Sequence, residues 1–240
     1  MPAIESARAL LKNAKNIAVL TGAGISAESG IPTFRGASGL WKQFRPEELA
    51  TPEAFARDPQ TVWEWYHWRR KLIAGAKPNA GHLALARLEQ GVPEFTLVTQ
   101  NVDGLHQAAG SKAVLELHGS IWTVRCTQCP HEWMDRGTAE GRQLLYCRCG
   151  ALARPGVVWF GEVLPPDIWR EAEEAVKSCD LLLVIGTSAV VYPAAGLVPL
   201  ARSSGARVME INIERSPIAN IIDLQLTGQA GHLLPELVEE

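Results

Sequence analysis

At residues 17–20 an apolar run, Ile17-Ala18-Val19-Leu20, breaks off into Thr21-Gly22-Ala23-Gly24-Ile25-Ser26, and the stretch runs on through Gly30 to Gly36. The pattern predicts a strand, a tight turn and the start of a helix. Gly22 and Gly24 let the backbone turn and come close to a ligand, and amides opening the next helix carry partial positive charge that suits a pyrophosphate. A dinucleotide site is the functional expectation. A glycine-rich turn of this kind is often only a turn, and its spacing departs from the G-x-G-x-x-G fingerprint.

The rest of the chain repeats the same grammar. A helical pattern at 6–13 precedes the first strand, and apolar segments at 95–99, 113–117, 181–185, 208–213 and 222–226 are interleaved with helical patterns at 79–90, 167–178 and 193–204. This alternation predicts an α/β fold built on a mostly parallel, doubly wound sheet. From 31 to 41 the composition turns to Pro, Thr, Gly and Ser with Phe34, Arg35 and Trp41, as expected of a long ordered or ligand-closed loop. A helical insert follows at 46–50, then at 52–57 with Thr51 as cap and Pro52 in the first helical position, then at 59–74. Polar side chains, Gln100-Asn101-Val102-Asp103, crowd the end of the strand at 95–99, which is where open α/β sheets place ligands.

A chain of 240 residues fits one large domain or a domain with a smaller insert. It shows no apolar run long enough to span a membrane, and residues 1–14 lack a signal-peptide profile, so a cytoplasmic, untargeted protein is expected. A net charge of −3 argues against nonspecific nucleic-acid binding, which depends on Lys and Arg neutralising phosphates.

Four of the five cysteines fall in one window as Cys126-x2-Cys129 and Cys147-x-Cys149, and two close thiolate pairs across such a loop suit tetrahedral zinc. Four protein ligands leave no open position for a reactive water, so the zinc is expected to be structural. The second pair is tighter than the usual C-x-x-C, and His131 is the substitute ligand should one thiolate fail to reach. Cys179, alone before an apolar strand, reads as a buried packing thiol.

His118 follows the segment at 113–117 and precedes a Gly-Ser turn, where neutral imidazole can accept a proton near neutral pH. It also reads as a structural histidine at a strand end, just as Asn101 and Asp103 read as turn residues. Tyr66 and Arg69, three apart in the expected helix at 59–74, share a face and can grip a carboxylate through phenol and guanidinium. The plainer reading is a core Tyr and a solvated Arg beside Arg70 and Lys71.

Together these motifs resemble those of the sirtuins, NAD-dependent protein-lysine deacylases, from about residue 13 to 237. The matching stretches are Gly22-Ala23-Gly24-Ile25-Ser26, Gly30-Ile31-Pro32-Thr33-Phe34-Arg35, Thr99-Gln100-Asn101-Val102-Asp103, Leu117-His118-Gly119, the cysteine pairs, Arg154-Pro155 with Val158-Trp159-Phe160-Gly161-Glu162, Gly186-Thr187-Ser188 and Asn212-Ile213-Glu214. The resemblance implies a large Rossmann-type domain (1–36, 77–119 and 155–240) and a small domain (37–76 and 120–154), made of the helical insert and the zinc module. NAD and acyl-lysine would meet between them. It implies His118 as general base with Asn101 beside it. NAD contacts would come from Gly22, Ala23, Gly24, Ser26, Ala27, Pro32, Thr33, Phe34, Arg35, Trp41, Gln100, Asn101, Val102, Asp103 and His118. Gly186, Thr187, Ser188, Asn212, Ile213, Glu214 and Ala230 would serve the adenosine half.

The segment Ala50…Tyr66-x-x-Arg69 resembles the branch that removes succinyl and malonyl groups, where a small residue widens the acyl pocket and Tyr with Arg holds the distal carboxylate. Val158, Phe160, Gly161 and Val191 would line the acyl-lysine site, the peptide pairing as an added strand with 157–161 and 190–192. The implied chemistry is attack of the acyl oxygen on the nicotinamide ribose, departure of nicotinamide and proton removal by His118, yielding O-acyl-ADP-ribose. The alternatives are transfer of ADP-ribose to protein from the same pocket, and a nonenzymatic zinc-bearing nucleotide-binding module. A hydride-transferring dehydrogenase is disfavoured, because no acidic residue ends a second strand about 20 residues after the glycines.

Overall fold

The computed structural model describes residues 2–35, 39–138 and 144–238; Gly36 and the expected boundary at 36–37 lie outside them. After helix α1 (Pro2–Asn13) comes strand β1 (Asn16–Thr21), then the helical insert α2 (Pro46–Leu49), α3 (Pro52–Arg57) and α4 (Pro59–Gly75). Next come α5 (Ala80–Gly91), β2 (Glu94–Thr99), the short α6 (Leu105–Ala108) and β3 (Val114–Glu116). Three strands, β4 (Gly119–Cys126), β5 (Glu132–Met134) and β6 (Ala153–Val157), build the cysteine module. The chain returns through α7 (Pro166–Ser178), β7 (Leu181–Ile185), α8 (Leu197–Ser203), β8 (Arg207–Asn212), β9 (Leu224–Thr227) and α9 (Ala230–Val238).

The parallel sheet has the order β3-β2-β1-β7-β8-β9, so the winding reverses between β1 and β7. Both faces are covered, which explains the unbroken apolar runs. Ile17 and Val19 point to the layer of α1, α5 and α9, while Ala18 and Leu20 join the layer of α7 and α8. Thr21 pairs in register with Thr99 on one side and Ile185 on the other, so three strands end flush at the reversal.

A separate cluster holds the insert against the antiparallel sheet β5-β4-β6. Trp63 Nε1 donates to the Ala153 carbonyl (2.8 Å), and fully buried Arg70 donates to the Ile121 carbonyl (2.8 Å) and the Asp135 carboxylate (2.9 Å). Sequence reading missed this sheet, because β6 contains Pro155 and Gly156, residues unusual within strands. Gly156 is required there: a Cβ would stand 2.6 Å from Thr123 Cβ. The reading also missed α6 and α9. The helix expected after the first glycines is a 3-10 helix, Ala23–Ser29, stopped by Gly30 in the left-handed region (φ 84°). Among the described residues no helix is long and apolar enough to cross a membrane.

Candidate active site

The two loops leaving β1 and β7 interlock at the point where the sheet reverses. Gly22 N–H donates to the Ile185 carbonyl (3.0 Å) and Gly24 N–H to the Gly186 carbonyl (2.8 Å). A Cβ on Gly22 would stand 2.8 Å from the Gly186 oxygen, and one on Gly24 would stand 2.7 Å from it. Gly22 is extended (φ −127°), so contact between backbones, not a left-handed turn, demands these glycines. The amides of Gly24 and Ile25 are bonded internally, the latter to the Gly22 carbonyl (3.2 Å), so anion capture cannot rest on those two donors.

Thr187 and Ser188 follow on the β7 side, and Asn212 Nδ2 donates to the Thr187 carbonyl (2.9 Å). Ile213 and Glu214 are exposed just past β8, and buried Ala230 opens α9, whose Gly231 N–H donates to Glu28 (2.7 Å). These positions lie along the C-terminal edge of the sheet, the ligand-binding edge of a doubly wound fold.

Beneath the cleft lies a buried polar cluster. Ser26 Oγ donates to Asp103 Oδ2 (2.9 Å) and accepts from Asn101 Nδ2 (3.3 Å), while Asn101 Nδ2 also reaches the Gly22 carbonyl (3.1 Å). His82 Nδ1 accepts from the Asn79 amide (3.3 Å), so the proton of its neutral ring sits on Nε2, 3.4 Å from Ser26 Oγ. Behind it, His106 Nε2 lies 3.0 Å from Thr21 Oγ1, which bonds Thr99 Oγ1 (2.8 Å), which accepts the Asn101 amide (3.1 Å). Burial pushes His82 down to about 4, and burial followed by its neighbour His82 pushes His106 to about 3, so both rings are neutral at pH 7. Burial raises the Asp103 carboxyl, against bonds from the Leu105 amide and Ser26 and the charge of Arg69. Thr21 and Thr99 stood in the sequence only as members of motifs, and His82 and His106 carried no signal, since nothing in their spacing brings the four together.

His118 stands at the start of β4 with Nδ1 3.0 Å from the Gln100 carbonyl. A carbonyl only accepts, so Nδ1 carries the proton and Nε2 is left with its lone pair. Burial lowers its pKa, with the Gln100 bond opposing. Gln100 also donates from Nε2 to Thr187 Oγ1 (3.0 Å), tying the β2 and β7 loops. The His118 carbonyl accepts from Val158 N–H (2.9 Å) and the Ala50 carbonyl from Phe160 N–H (3.0 Å), so segment 158–160 bridges the histidine and the insert. Phe160 is half-exposed, Gly161 exposed and Val191 partly buried.

Tyr66 and Arg69 are buried together at 1% and 6% exposure, which excludes a solvated Arg69. The guanidinium carbon lies 4.8 Å from the Phe34 ring centre, 4.9 Å from Trp65 and 5.8 Å from Tyr66. Among the described residues no carboxylate or carbonyl pairs with it. Burial lowers the Arg69 pKa and raises that of Tyr66, the two groups partly offsetting each other. Trp41 stacks on Trp65 (5.8 Å) and meets Phe34 (5.1 Å) and Phe160 (6.1 Å), so the rings of Phe34 and Trp41 roof the pocket.

The four thiols converge despite the tight C-x-C. Cys126 and Cys149 sulfurs are 3.5 Å apart, Cys129 and Cys147 3.7 Å, and Cys129 and Cys149 3.8 Å. A Zn–S bond of about 2.3 Å puts the sulfurs of a tetrahedral site about 3.8 Å apart, so the set fits structural zinc with no fifth ligand needed. His131 lies outside the group: its carbonyl accepts the Cys126 amide (2.9 Å) and its ring stacks on Trp133 (5.3 Å). At about 3.3 Å per residue, the length of β4 separates the thiols from His118 by about 25 Å.

The Sir2 family profile matches residues 22–193. NAD-dependent protein deacylase 2 of Pyrobaculum aerophilum is 55% identical over 231 residues, covering 96% of this chain and 93% of the relative. The solved structure of a Sir2 homolog–NAD complex aligns at 49% identity with a TM-score of 0.92, covering 98% of this chain and 92% of that one. Sir2Af2 bound to a myristoylated histone peptide aligns at 35% identity with a TM-score of 0.79, covering 99% and 95% of the two chains. With a cleft at the sheet reversal, a histidine at its edge whose Nε2 is unengaged, and this likeness along nearly the whole length, the chain belongs to the Sir2 family and is an NAD-dependent protein deacylase.

Proposed function

We propose that this deacylase removes short acidic acyl groups, succinyl and malonyl, from lysine as well as acetyl. The observation that carries the reading is Arg69: a guanidinium 6% exposed, boxed by Phe34, Trp65 and Tyr66, with no carboxylate in direct ion-pair contact among the described residues and only the longer-range attraction of Asp103. A buried cation without a partner is costly, and a ligand carboxylate relieves that cost. Ala50 is buried, and in this reading its short side chain gives the acyl chain room. The myristoyl chain carried by the Sir2Af2 peptide has no charge to offer such a group, so a long apolar acyl chain is the poorer ligand here.

In this reading NAD, consumed as co-substrate, supplies the ribosyl carbon that takes the acyl oxygen. Gly22, Ala23, Gly24, Ser26, Ala27 and Pro32 to Arg35 with Trp41 border its phosphates and ribose, while Gly186 to Ser188, Asn212 to Glu214 and Ala230 border the adenosine. Asn101 and Asp103, with Gln100 and Val102, shape the nicotinamide pocket. His118 takes a ribose hydroxyl proton at Nε2, the atom its bond to Gln100 leaves free. The roof of Phe34 and Trp41 keeps water from competing. Acyl-lysine peptide pairs along 157–161 and 190–192, where exposed Val190 and Tyr192 and half-exposed Phe160 await cover. This divides the chain into a Rossmann-type large domain at 1–36, 77–119 and 155–240, with the insert and zinc module as the small one. Unpaired thiols suit the reducing cytoplasm.

The test compares kcat/KM on one peptide bearing acetyl-, malonyl-, succinyl- or myristoyl-lysine, with and without NAD. The reading predicts NAD-dependent release of succinyl and malonyl with nicotinamide. Acetyl or myristoyl turnover without succinyl turnover would remove it.

A further inference from the structure

Among the described residues, Trp159 makes the one side-chain hydrogen bond to the Tyr66 phenol. Its Nε1 lies 2.9 Å from the Tyr66 hydroxyl, with both side chains buried. An indole nitrogen can only donate, so the Tyr66 oxygen must accept. The O–H of a phenol prefers the ring plane, which gives it two orientations; a donor seated on one side leaves the proton on the other. Among the described residues no group accepts that proton.

The indole itself cannot swing away. Its backbone N–H donates to Glu162 Oε2 (2.7 Å), and the Arg154 guanidinium lies 3.5 Å above the ring centre. Glu162 fixes that guanidinium by a fork, Nη1 to Oε1 (2.5 Å) and Nη2 to Oε2 (2.9 Å), while Nη2 also donates to the Val157 carbonyl (2.9 Å). Phe55 packs against the indole at 5.3 Å. Arg154 and Glu162 cancel in charge, so the scaffold brings no net charge that would compete with Arg69 for a carboxylate.

We propose that Trp159 is a specificity-determining positioning residue: by donating to Tyr66 it holds the phenol as a hydrogen-bond donor beside the Arg69 guanidinium, ready for the distal carboxylate of a succinyl or malonyl group. The proposal rests on the acidic-acyl reading above. Without the indole donor both in-plane orientations of the phenol are open, and in one of them a lone pair faces the carboxylate and repels it. Acetyl-lysine has no distal carboxylate and does not sense the orientation.

The test is Trp159→Phe, which keeps an aromatic ring and deletes the N–H, with benzothienylalanine at the same position as a closer isostere should Phe loosen the fold. The readout is the succinyl-to-acetyl ratio of kcat/KM on one peptide at saturating NAD. The ratio is expected to fall about fivefold in both variants, the net worth of one neutral hydrogen bond, and to stay put when Trp159→Phe is made in a Tyr66→Phe background. A ratio unchanged by Trp159→Phe while Arg69→Met lowers it overturns the role of Trp159 and leaves the clamp standing. Equal loss on both peptides, or the same loss without the Tyr66 hydroxyl, reduces Trp159 to packing and overturns the proposal. If Arg69→Met leaves the ratio unchanged, the acidic-acyl reading fails and the proposal falls with it.

Discussion

Arg69→Met is the sharpest perturbation, because substrate preference and stability should move in different directions. Methionine keeps an unbranched, apolar side chain against Phe34 and Trp65 and removes the charge. At about 4 Å and an effective dielectric constant of about 20, a carboxylate and a guanidinium attract by about 4 kcal/mol. Truncating one partner of a buried, hydrogen-bonded charge pair costs about 2 to 5 kcal/mol. Taking about 3 kcal/mol lowers kcat/KM for succinyl-lysine about 150-fold, while acetyl-lysine, without a distal charge, should lose far less. In the free enzyme the same substitution removes a cation that desolvation penalises and that Asp103 offsets only in part, without a direct ion pair. Against that relief stand ring contacts worth about 1 to 2 kcal/mol, so the thermal midpoint should stay level or rise. The assay is steady-state kinetics on matched peptides beside a thermal melt. Equal losses on both peptides, or a drop in the midpoint that tracks the loss of activity, would refute the clamp.

His118→Tyr should lower deacylation by more than about 100-fold, with NAD binding retained in calorimetry; unimpaired turnover would remove His118 as base. Because burial depresses its pKa, the neutral base persists below the ordinary histidine range, and the acid limb of kcat/KM should have its midpoint below about 6.5. His82 and His106 titrate at about 4 and about 3 in the folded protein, so on acidification the unfolded chain takes up these protons first. Their stability contribution is complete above about pH 6.5 and declines toward pH 4 by up to about 1.4 kcal/mol per pH unit for each ring; a denaturation midpoint flat between pH 6.5 and 5 would contradict this. Gly24→Ala places a Cβ 2.7 Å from the Gly186 oxygen and should cost about 2 kcal/mol in chemical denaturation, unlike a glycine needed only for ligand approach. Cys149→Ser should lower bound zinc, measured by mass spectrometry, and the melting point together, whereas full zinc content with three cysteines would point to another ligand.

The parts of this structure that were legible in sequence are those fixed by near neighbours. The runs Ile17-Ala18-Val19-Leu20 and 181–185 announced a sheet buried on both faces because a parallel strand packs on either side. Thr51 and Pro52 set the start of α3 within one turn, and the Thr51 hydroxyl does accept the Ala54 amide (3.1 Å). Tyr66 and Arg69 share a face by helical geometry alone. The glycine turn was legible in position but not in cause. Any close approach at Gly22 and Gly24, whether of a phosphate or of the Gly186 backbone, demands the same missing Cβ, and the sequence does not say which is meant. Only the register of β1 against β7, set by residues more than 160 positions apart, decides it. The same limit explains Trp159 and the buried histidines. The indole meets the Tyr66 hydroxyl across 93 residues, and His106 meets Thr21 across 85. Each of these residues has an ordinary apolar or strand-end reading where it stands. What gives it a role is a partner delivered by the fold, and a hydrogen bond that only donors and acceptors in fixed geometry can assign.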